Sequence, residues 1–219
     1  MMPVSHQFKT IFVHIPKSAG TSIEVVLGMH RDRHDIGLRP YYNQALDYEH
    51  LYGGPLQHLT AAEIRQVLND EALFKSYFKF AVVRNPWDRL VSALAWTDQK
   101  WARGEQLTPE QFDAQLRQAA SAVHNAMSSG NWDAVPHYLY PQCVFIWDAQ
   151  QRSLVDFVAR YEDLEAGWRV IRERLGLDAE LPVRMKSHHR DYRDYYTHET
   201  RALVARLYEL DVQTFQYEF

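Results

Sequence analysis

The residues best suited to chemistry lie between Ile15 and Ser22, where an apolar run stops at Pro16 and small residues surround one lysine. A strand that enters a helix through such a loop offers backbone N–H groups and the positive end of the helix dipole to an anion. Lys17 adds a positive charge, and Gly20 would let the backbone come close to a ligand. The candidate anion-binding residues are Lys17, Ser18, Ala19, Gly20, Thr21 and Ser22.

This loop differs from the usual nucleoside-triphosphate loop. The pattern Gly-x-x-x-x-Gly-Lys-Ser/Thr is absent, and the lysine stands three residues before the glycine. A strand–turn–helix corner with a solvated lysine is the alternative interpretation. The string Pro-Lys-Ser-x-Gly-Thr-Ser is unusual for a connection that binds no ligand, so an anion site is favoured.

A second candidate anion site follows the apolar run at residues 78–83. Arg84 leaves the predicted strand, Asn85 can cap a helix, and Pro86 suits its first position. An arginine beside helix donors can hold a phosphate group through two hydrogen bonds, with Ser92 two turns further on. Arg89 is interpreted as structural, in a pair with Asp88.

The elements that must position these residues alternate between strands and helices. Apolar runs predict strands at residues 11–15, 78–83, 144–147 and 154–158. Capping-box patterns begin helices at Thr21 with Glu24 and at Thr60 with Glu63, and Thr108 begins another by the same logic. Further helices are predicted at 164–175 and 199–210, and residues 31–57 are predicted to form a long irregular excursion. This alternation predicts an α/β fold with a mostly parallel sheet covered by helices on both faces.

Composition excludes several classes of protein. Lys and Arg number 24 against 28 Asp and Glu, a net charge of −4 that argues against a nucleic-acid partner. The single cysteine, Cys143, excludes an intramolecular disulfide framework and a cysteine-rich zinc site. No apolar run is long enough to span a membrane, and the first residues do not read as a signal peptide. We therefore expect a cytoplasmic protein with one domain over residues 1–219.

The two anion-site strings, residues 14–22 and 83–93, resemble the sulfotransferase superfamily, in particular its carbohydrate-type branch with soluble bacterial members. Matching segments follow in family order at residues 141–142, 160–164, 181–196 and 215–219, so the resemblance covers essentially the whole chain. Two positions depart from the family pattern: Met185 stands where asparagine is usual, and Gln216 where glycine is usual. The resemblance implies a three-layer α/β sandwich with a phosphate-binding loop like that of the phosphate-loop kinases.

The resemblance also implies a reaction: transfer of a sulfuryl group from 3′-phosphoadenosine 5′-phosphosulfate to an acceptor hydroxyl, with a carbohydrate as the expected acceptor. Lys17 would stabilise the bridging oxygen as the bond to sulfur breaks, without a metal, because a sulfuryl group carries less charge than a γ-phosphoryl group. Residues 18–22 would bind the 5′ end, and Arg84 and Ser92 the 3′-phosphate. Family position adds Tyr161 as an adenine or ribose contact, and Lys186 and Ser187 on the 3′ side.

An acceptor hydroxyl must lose its proton as it attacks, and histidine suits that role at neutral pH. Of the 11 histidines, His58 stands at the entrance to a predicted helix, between the two nucleotide motifs, where related carbohydrate sulfotransferases place their base. His58 is therefore the predicted base, with Glu24 and then His188 as alternatives. His14, inside the first strand, is interpreted as a buried histidine without a catalytic role.

Two other hypotheses compete with sulfuryl transfer. A nucleotide-dependent kinase on a related fold would need the missing Gly-Lys-Ser/Thr and a magnesium-binding aspartate. An inactive nucleotide- or glycan-binding module would need Lys17 or the base to be missing or misplaced. A metal site at His30, His34 and Asp35 is disfavoured, because charged runs are usually solvated. The basic segment 184–190 is interpreted either as a flap over the nucleotide or acceptor or as an exposed loop. The sequence does not indicate an oligomeric state.

Overall fold

The structure is a computed structural model, and it describes residues 3–29, 56–97, 105–132, 135–182 and 190–219. Most of the predicted excursion, residues 30–55, lies outside the described residues, as do Lys186 and Ser187. The chain divides into two compact units. Unit 1 comprises Met1–Val83 and Val144–Arg184, and unit 2 comprises Arg84–Cys143 and Met185–Phe219.

Unit 1 contains a mixed, mostly parallel sheet, and the described strands follow the order β1-β2-β3-β4. The first strand pairs antiparallel with the second, and the other pairs are parallel, with Phe12 opposite Phe80 and Ala81 opposite Val158. The predicted α/β class with a mostly parallel sheet is confirmed. The strands are β1 Val4–Ser5, β2 Thr10–Val13, β3 Phe78–Val83 and β4 Phe157–Arg160.

The helices connect and cover these strands or build unit 2. In chain order the described helices are α1 Gly20–Val26, α2 Ala61–Leu68, α3 Glu71–Ser76, α4 Pro86–Thr97, α5 Pro109–Ser129, α6 Gln142–Ile146, α7 Leu164–Leu175, α8 His198–Leu207 and α9 Glu209–Phe215. Short 3₁₀ turns occur at Leu56–His58, His137–Leu139, Tyr161–Asp163 and Tyr192–Tyr195. Within the described residues, every helix is too short or too polar to span a bilayer.

The core of unit 1 lies between one face of the sheet and helices α1 and α7. Phe12 and Phe80 stack at 5.0 Å between ring centroids, and Ile23 of α1 and Trp168 of α7 are buried in the same cluster. Burying an aliphatic or aromatic side chain of this size contributes about 1.5–3 kcal/mol. The cluster fixes β2 beneath α1, and with them the loop that joins the two elements.

The local capping signals give three correct helix starts. Thr60 forms a complete capping box with Glu63, Thr108 does the same with Gln111, and the Asn85 side chain accepts the Trp87 backbone N–H at 3.0 Å. The box predicted at Thr21 is wrong. Helix α1 is capped by Ala19 without a side-chain hydrogen bond, and Glu24 bonds to other partners.

Two predictions in the second half of the chain are also wrong. Residues 144–146 lie in α6 rather than in a strand, because the buried Asp211 carboxylate accepts the backbone N–H groups of Gln142 and Cys143 and stabilises the first turn of that helix. Trp147 makes only an isolated bridge with Ser153, and the next strand begins at Phe157. The predicted helix 199–210 is two helices, α8 and α9.

Unit 2 is helical in its described part. Helix α4 packs against α5, α8 and the 3₁₀ turn Tyr192–Tyr195. Phe112 of α5 is fully buried and contacts the rings of Tyr195 and Tyr196 edge to face. This packing holds α4, which carries Ser92, and the residues just before it.

Candidate functional site

The loop between β2 and α1 has an unusual backbone conformation. Lys17 has φ of 69° and Ala19 has φ of 61°, so two residues with side chains occupy the left-handed region. Such residues cost of order 1–3 kcal/mol each and concentrate at ligand sites, where the surrounding structure enforces them. The strain therefore marks this loop as a candidate binding site within unit 1.

Ser18, between these two residues, is 1% exposed, and its hydroxyl oxygen has no hydrogen-bond partner among the described residues. A buried hydroxyl left without a partner costs about 1–3 kcal/mol. An oxygen-rich anion in the loop would provide the missing partner. The residues present therefore fit an anionic group, and Lys17, which is partly exposed, supplies the positive charge.

Gly20 also meets a constraint from within the protein. A Cβ atom there would lie 1.9 Å from His14 Nε2 and 2.0 Å from His14 Cδ2. The His14 imidazole therefore occupies the space that a side chain at position 20 would need. The glycine admits this ring against the loop backbone, so its absence of a side chain serves the protein's own packing.

A hydrogen-bonded group of polar side chains surrounds that ring. His14 Nδ1 lies 2.8 Å from Glu24 Oε1, and Gln57 Nε2 donates to Glu24 Oε2 at 2.7 Å. His58 Nδ1 lies 3.1 Å from the carbonyl oxygen of His14, and the two imidazoles meet edge to face with centroids 4.6 Å apart. The structure thus brings the predicted base His58 and its alternative Glu24 together around His14, next to the loop.

The second candidate anion site, at Arg84 and the start of α4, lies in unit 2 and is held by bonds within that unit. It is called the second corner below, and the loop between β2 and α1 is called the first corner. Arg84 is 4% exposed, and its Nε donates to Asp88 Oδ2 at 2.8 Å. Gln142 holds the Arg84 backbone from both sides: its Oε1 accepts the N–H and its Nε2 donates to the carbonyl, each at 2.8 Å. Within unit 2, Asp88 therefore holds the Arg84 side chain, and Gln142 holds the Arg84 backbone.

Arg89 is structural, as predicted, but not through Asp88. Its buried guanidinium donates to the carbonyl oxygens of Tyr138 and Tyr140, while Asp88 bonds to Arg84. Arg89 also packs over the Tyr208 ring at 5.6 Å, and its charge opposes the effect of burial, which raises the pKa of Asp211. Burial raises the pKa of Tyr208 from 10.0 to about 12.

The remaining predicted contacts are spread over the chain. Ser22 is buried at the start of α1, Ser92 is buried in α4, and Tyr161 packs against the unit 1 core from the 3₁₀ turn after β4. Among the described residues, no group of three or more His, Cys, Asp or Glu could hold a metal ion. The disfavoured metal site at His30, His34 and Asp35, the basic segment 184–190 and the alternative base His188 fall wholly or mostly outside the described residues.

Sequence reasoning missed His14, Gln57 and Gln142 as partners of site residues. The predicted burial of His14 is confirmed, but nothing in the sequence indicates its bond to Glu24, whose spacing from Thr21 suggests a capping box instead. No local pattern links residues 24 and 57 or residues 84 and 142. Only the fold brings them together.

Comparison with known protein families matches residues 2–218, nearly the entire chain, to the Sulfotransferase family. Searches of curated proteins and of solved structures found no match to the chain.

Proposed function

Because the chain belongs to the sulfotransferase family, whose reaction is sulfuryl transfer, we propose that its donor is 3′-phosphoadenosine 5′-phosphosulfate and its acceptor a hydroxyl group, expected on a carbohydrate. The observation that carries the donor proposal is the loop after β2. It combines a lysine, two left-handed residues and the buried Ser18 hydroxyl without a partner among the described residues. An anionic 5′ end of the donor would accept a hydrogen bond from that hydroxyl.

When bound, the donor supplies a sulfuryl group attached to a phosphate leaving group. We assign Lys17 to the negative charge that develops on the bridging oxygen as that bond breaks. Residues 18–22 are proposed to bind the 5′ end, with Ser18 and Ser22 buried in this part of unit 1. Lys17 thereby acts on the reacting atoms, whereas its neighbours in the loop position them.

The 3′-phosphate is assigned to unit 2. Arg84 is held by Asp88 and Gln142, so little side-chain entropy remains to be lost when a phosphate binds. Ser92 is the second residue assigned to this group. Tyr161, Lys186 and Ser187 complete the proposed nucleotide contacts.

The acceptor proton is assigned to His58. A carbonyl oxygen can only accept a hydrogen bond, so the contact with the His14 carbonyl places the proton of neutral His58 on Nδ1. Nε2 is then the basic nitrogen, and it takes the hydroxyl proton as the acceptor oxygen attacks the sulfur in line. His58 is partly exposed, as a base that meets an acceptor must be.

The donor proposal is tested by thermal unfolding with nucleotides in the presence of a metal chelator. Adenosine 3′,5′-bisphosphate should raise the melting temperature with chelator present, because it carries both anionic groups and needs no metal. ATP with magnesium, measured without chelator, should raise it much less. Equal stabilisation by both, or stabilisation only by ATP with magnesium, would favour a kinase instead.

The base assignment is tested by turnover of a working acceptor. His58→Ala should lower turnover by about 10²–10⁴-fold while affinity for adenosine 3′,5′-bisphosphate is retained. The rise of the rate with pH through the neutral range should disappear in the same variant. His124→Ala, which removes an exposed histidine of α5 in unit 2, is the control and should keep both properties. Binding without turnover in the wild-type protein, over a panel of acceptors, would favour an inactive binding module.

A further inference from the structure

Glu24 connects two segments that are far apart in sequence and that together present His58. Its Oε1 lies 2.8 Å from Nδ1 of His14, at the end of β2, and its Oε2 accepts from Gln57 at 2.7 Å. Gln57 precedes His58 directly in the 3₁₀ turn Leu56–His58. One carboxylate therefore holds both the residue before the base and the residue whose carbonyl oxygen bonds to the base.

Glu24 depends on these bonds because its carboxylate is buried. The residue is 3% exposed, and a buried carboxylate requires hydrogen-bond donors to offset the loss of hydration. His14 is 4% exposed and packs against Gly20 on one side and the His58 ring on the other. The position of His14 is thus defined by a carboxylate, the loop backbone and a second imidazole.

We propose that Glu24 is a positioning residue for His58, acting through His14 and Gln57. The proposal rests on the function proposed for His58, that of taking the acceptor proton. By fixing the His14 backbone and the Leu56–His58 turn relative to each other, Glu24 keeps the His14 carbonyl oxygen on His58 Nδ1. This keeps neutral His58 in the Nδ1–H tautomer, with Nε2 as the basic nitrogen.

The same geometry separates this role from that of a base. Each oxygen of the Glu24 carboxylate bonds to a side chain of the protein, Oε1 to His14 and Oε2 to Gln57. Glu24, considered above as an alternative base, therefore acts on the orientation of the imidazole. Loss of the carboxylate should lower turnover without affecting the groups assigned to the nucleotide.

The direct test is nitrogen NMR of the full chain labelled with ¹⁵N-histidine, with the His58 signals assigned by their loss in His58→Ala. In wild-type protein, neutral His58 should show a protonated Nδ1 and an unprotonated Nε2. In Glu24→Gln, which keeps the size of the side chain and removes its charge, the two tautomers should mix. A wild-type His58 protonated at Nε2, or a tautomer unchanged in Glu24→Gln, would overturn the proposal.

Kinetics provide the second readout. Glu24→Gln should lower turnover by about 10-fold, less than the loss expected on removing the base itself, because Glu24 acts on His58 only through other residues; the Kd for adenosine 3′,5′-bisphosphate should stay close to wild type. Glu63→Gln is the matched control, since Glu63 belongs to the capping box of α2 just after His58. It should leave the His58 tautomer and turnover unchanged. A similar loss in both glutamine variants would count against a specific role for Glu24.

A second variant keeps the proposal testable if Glu24→Gln does not fold. Gln57→Met removes the hydrogen bond from Gln57 to Glu24 at a partly exposed position and should shift the tautomer partway, with a smaller loss of turnover. An unchanged tautomer in this variant would contradict the proposal. If no acceptor turns over at all, the NMR result still decides the positioning role, whereas the missing turnover counts against the proposed function.

Discussion

The two candidate anion corners differ in how far the protein itself satisfies the polar groups of each corner. In unit 1 the loop after β2 contains two left-handed residues, and the buried Ser18 hydroxyl has no partner among the described residues. In unit 2 Arg84 is bonded to Asp88 through its side chain and to Gln142 through its backbone. The first corner is strained before a ligand arrives, whereas the second is already satisfied by the protein.

This difference predicts a division of labour. A ligand group in the first corner gains an interaction that the protein alone does not provide, so that corner suits charge that develops during the reaction. A phosphate in the second corner must share Arg84 with Asp88. On the proposed assignment, we expect that arrangement to give orientation and selectivity for the 3′ end with a moderate gain in affinity.

The largest effect is expected at Lys17. Lys17→Ala should lower turnover by about 10²–10³-fold, because it removes the charge assigned to the leaving oxygen, with a much smaller loss of affinity for adenosine 3′,5′-bisphosphate. Lys9→Ala is a matched control: Lys9 also has positive φ, at 46°, and is exposed in unit 1. Equal losses in turnover and affinity at Lys17 would show that the first corner only binds.

The next effect should come from Arg84. Arg84→Ala should weaken binding of adenosine 3′,5′-bisphosphate by roughly 1.5–3 kcal/mol, the scale of a hydrogen bond to a charged group. It should hardly change the binding of adenosine 5′-phosphosulfate, which lacks the 3′-phosphate. Isothermal titration with both nucleotides provides the comparison.

The ion pair with Asp88 requires a control for this experiment, because Arg84→Ala removes the guanidinium from the Asp88 carboxylate. The double variant Arg84→Ala with Asp88→Asn also removes the carboxylate charge. If Arg84 binds the 3′-phosphate, the loss of affinity persists in the double variant. Recovery of affinity there would assign Arg84 to structure alone.

The contrast between the corners also shows which features of the structure can be predicted from sequence patterns. The strand at residues 78–83 and the helix starts at Thr60 and Thr108 depend on neighbours within a few residues, and both kinds of prediction are correct. The family resemblance was likewise carried by contiguous strings of sequence. Local chemistry therefore indicated the fold class and the strand-to-helix connections at the two corners.

The errors have a common physical cause, which is a partner distant in sequence. Glu24 bonds to His14 and Gln57 instead of capping α1. The apolar run at 144–147 begins as helix because Asp211 lies at the N-terminus of α6. In each case a buried polar group found a long-range partner that outweighed the local preference.

The third prediction concerns the support of the second corner at high pH. The Tyr208 hydroxyl donates to the Leu139 carbonyl at 2.9 Å, three residues before Gln142, and burial raises the pKa of Tyr208 from 10.0 to about 12. Tyr208 is neutral in both the folded and unfolded states below pH 10. Its contribution to stability is therefore fully present there, and it is lost as the pH rises through about 12.

Urea unfolding at a series of alkaline pH values measures this loss of the Tyr208 contribution to stability. In wild-type protein Tyr208 should contribute a fall of about 1.4 kcal/mol per pH unit within that window, and Tyr208→Phe should remove that part of the slope. Tyr196→Phe provides a comparison, because burial also raises the pKa of Tyr196 well above 10.0, so this variant should remove a separate part of the alkaline slope and leave the Tyr208 part in place. A slope unchanged in Tyr208→Phe would mean that the second corner does not depend on this tyrosine staying neutral.

The smallest effect, and the one that most directly tests the comparison, is expected at Ser18. Because its hydroxyl is buried without a described partner, Ser18→Ala should leave the free energy of unfolding without ligand unchanged or raise it by about 1 kcal/mol. The same change should weaken binding of adenosine 3′,5′-bisphosphate by about 0.5–1.5 kcal/mol, since the ligand loses one hydrogen bond.

Ser153→Ala, which removes an exposed hydroxyl bonded to the Val155 carbonyl, is the control and should not affect nucleotide binding. Urea unfolding with and without the nucleotide gives both quantities. A loss of stability without ligand would show that Ser18 supports the fold in the same way that Asp88 and Gln142 support Arg84, and the distinction between the two corners would be withdrawn.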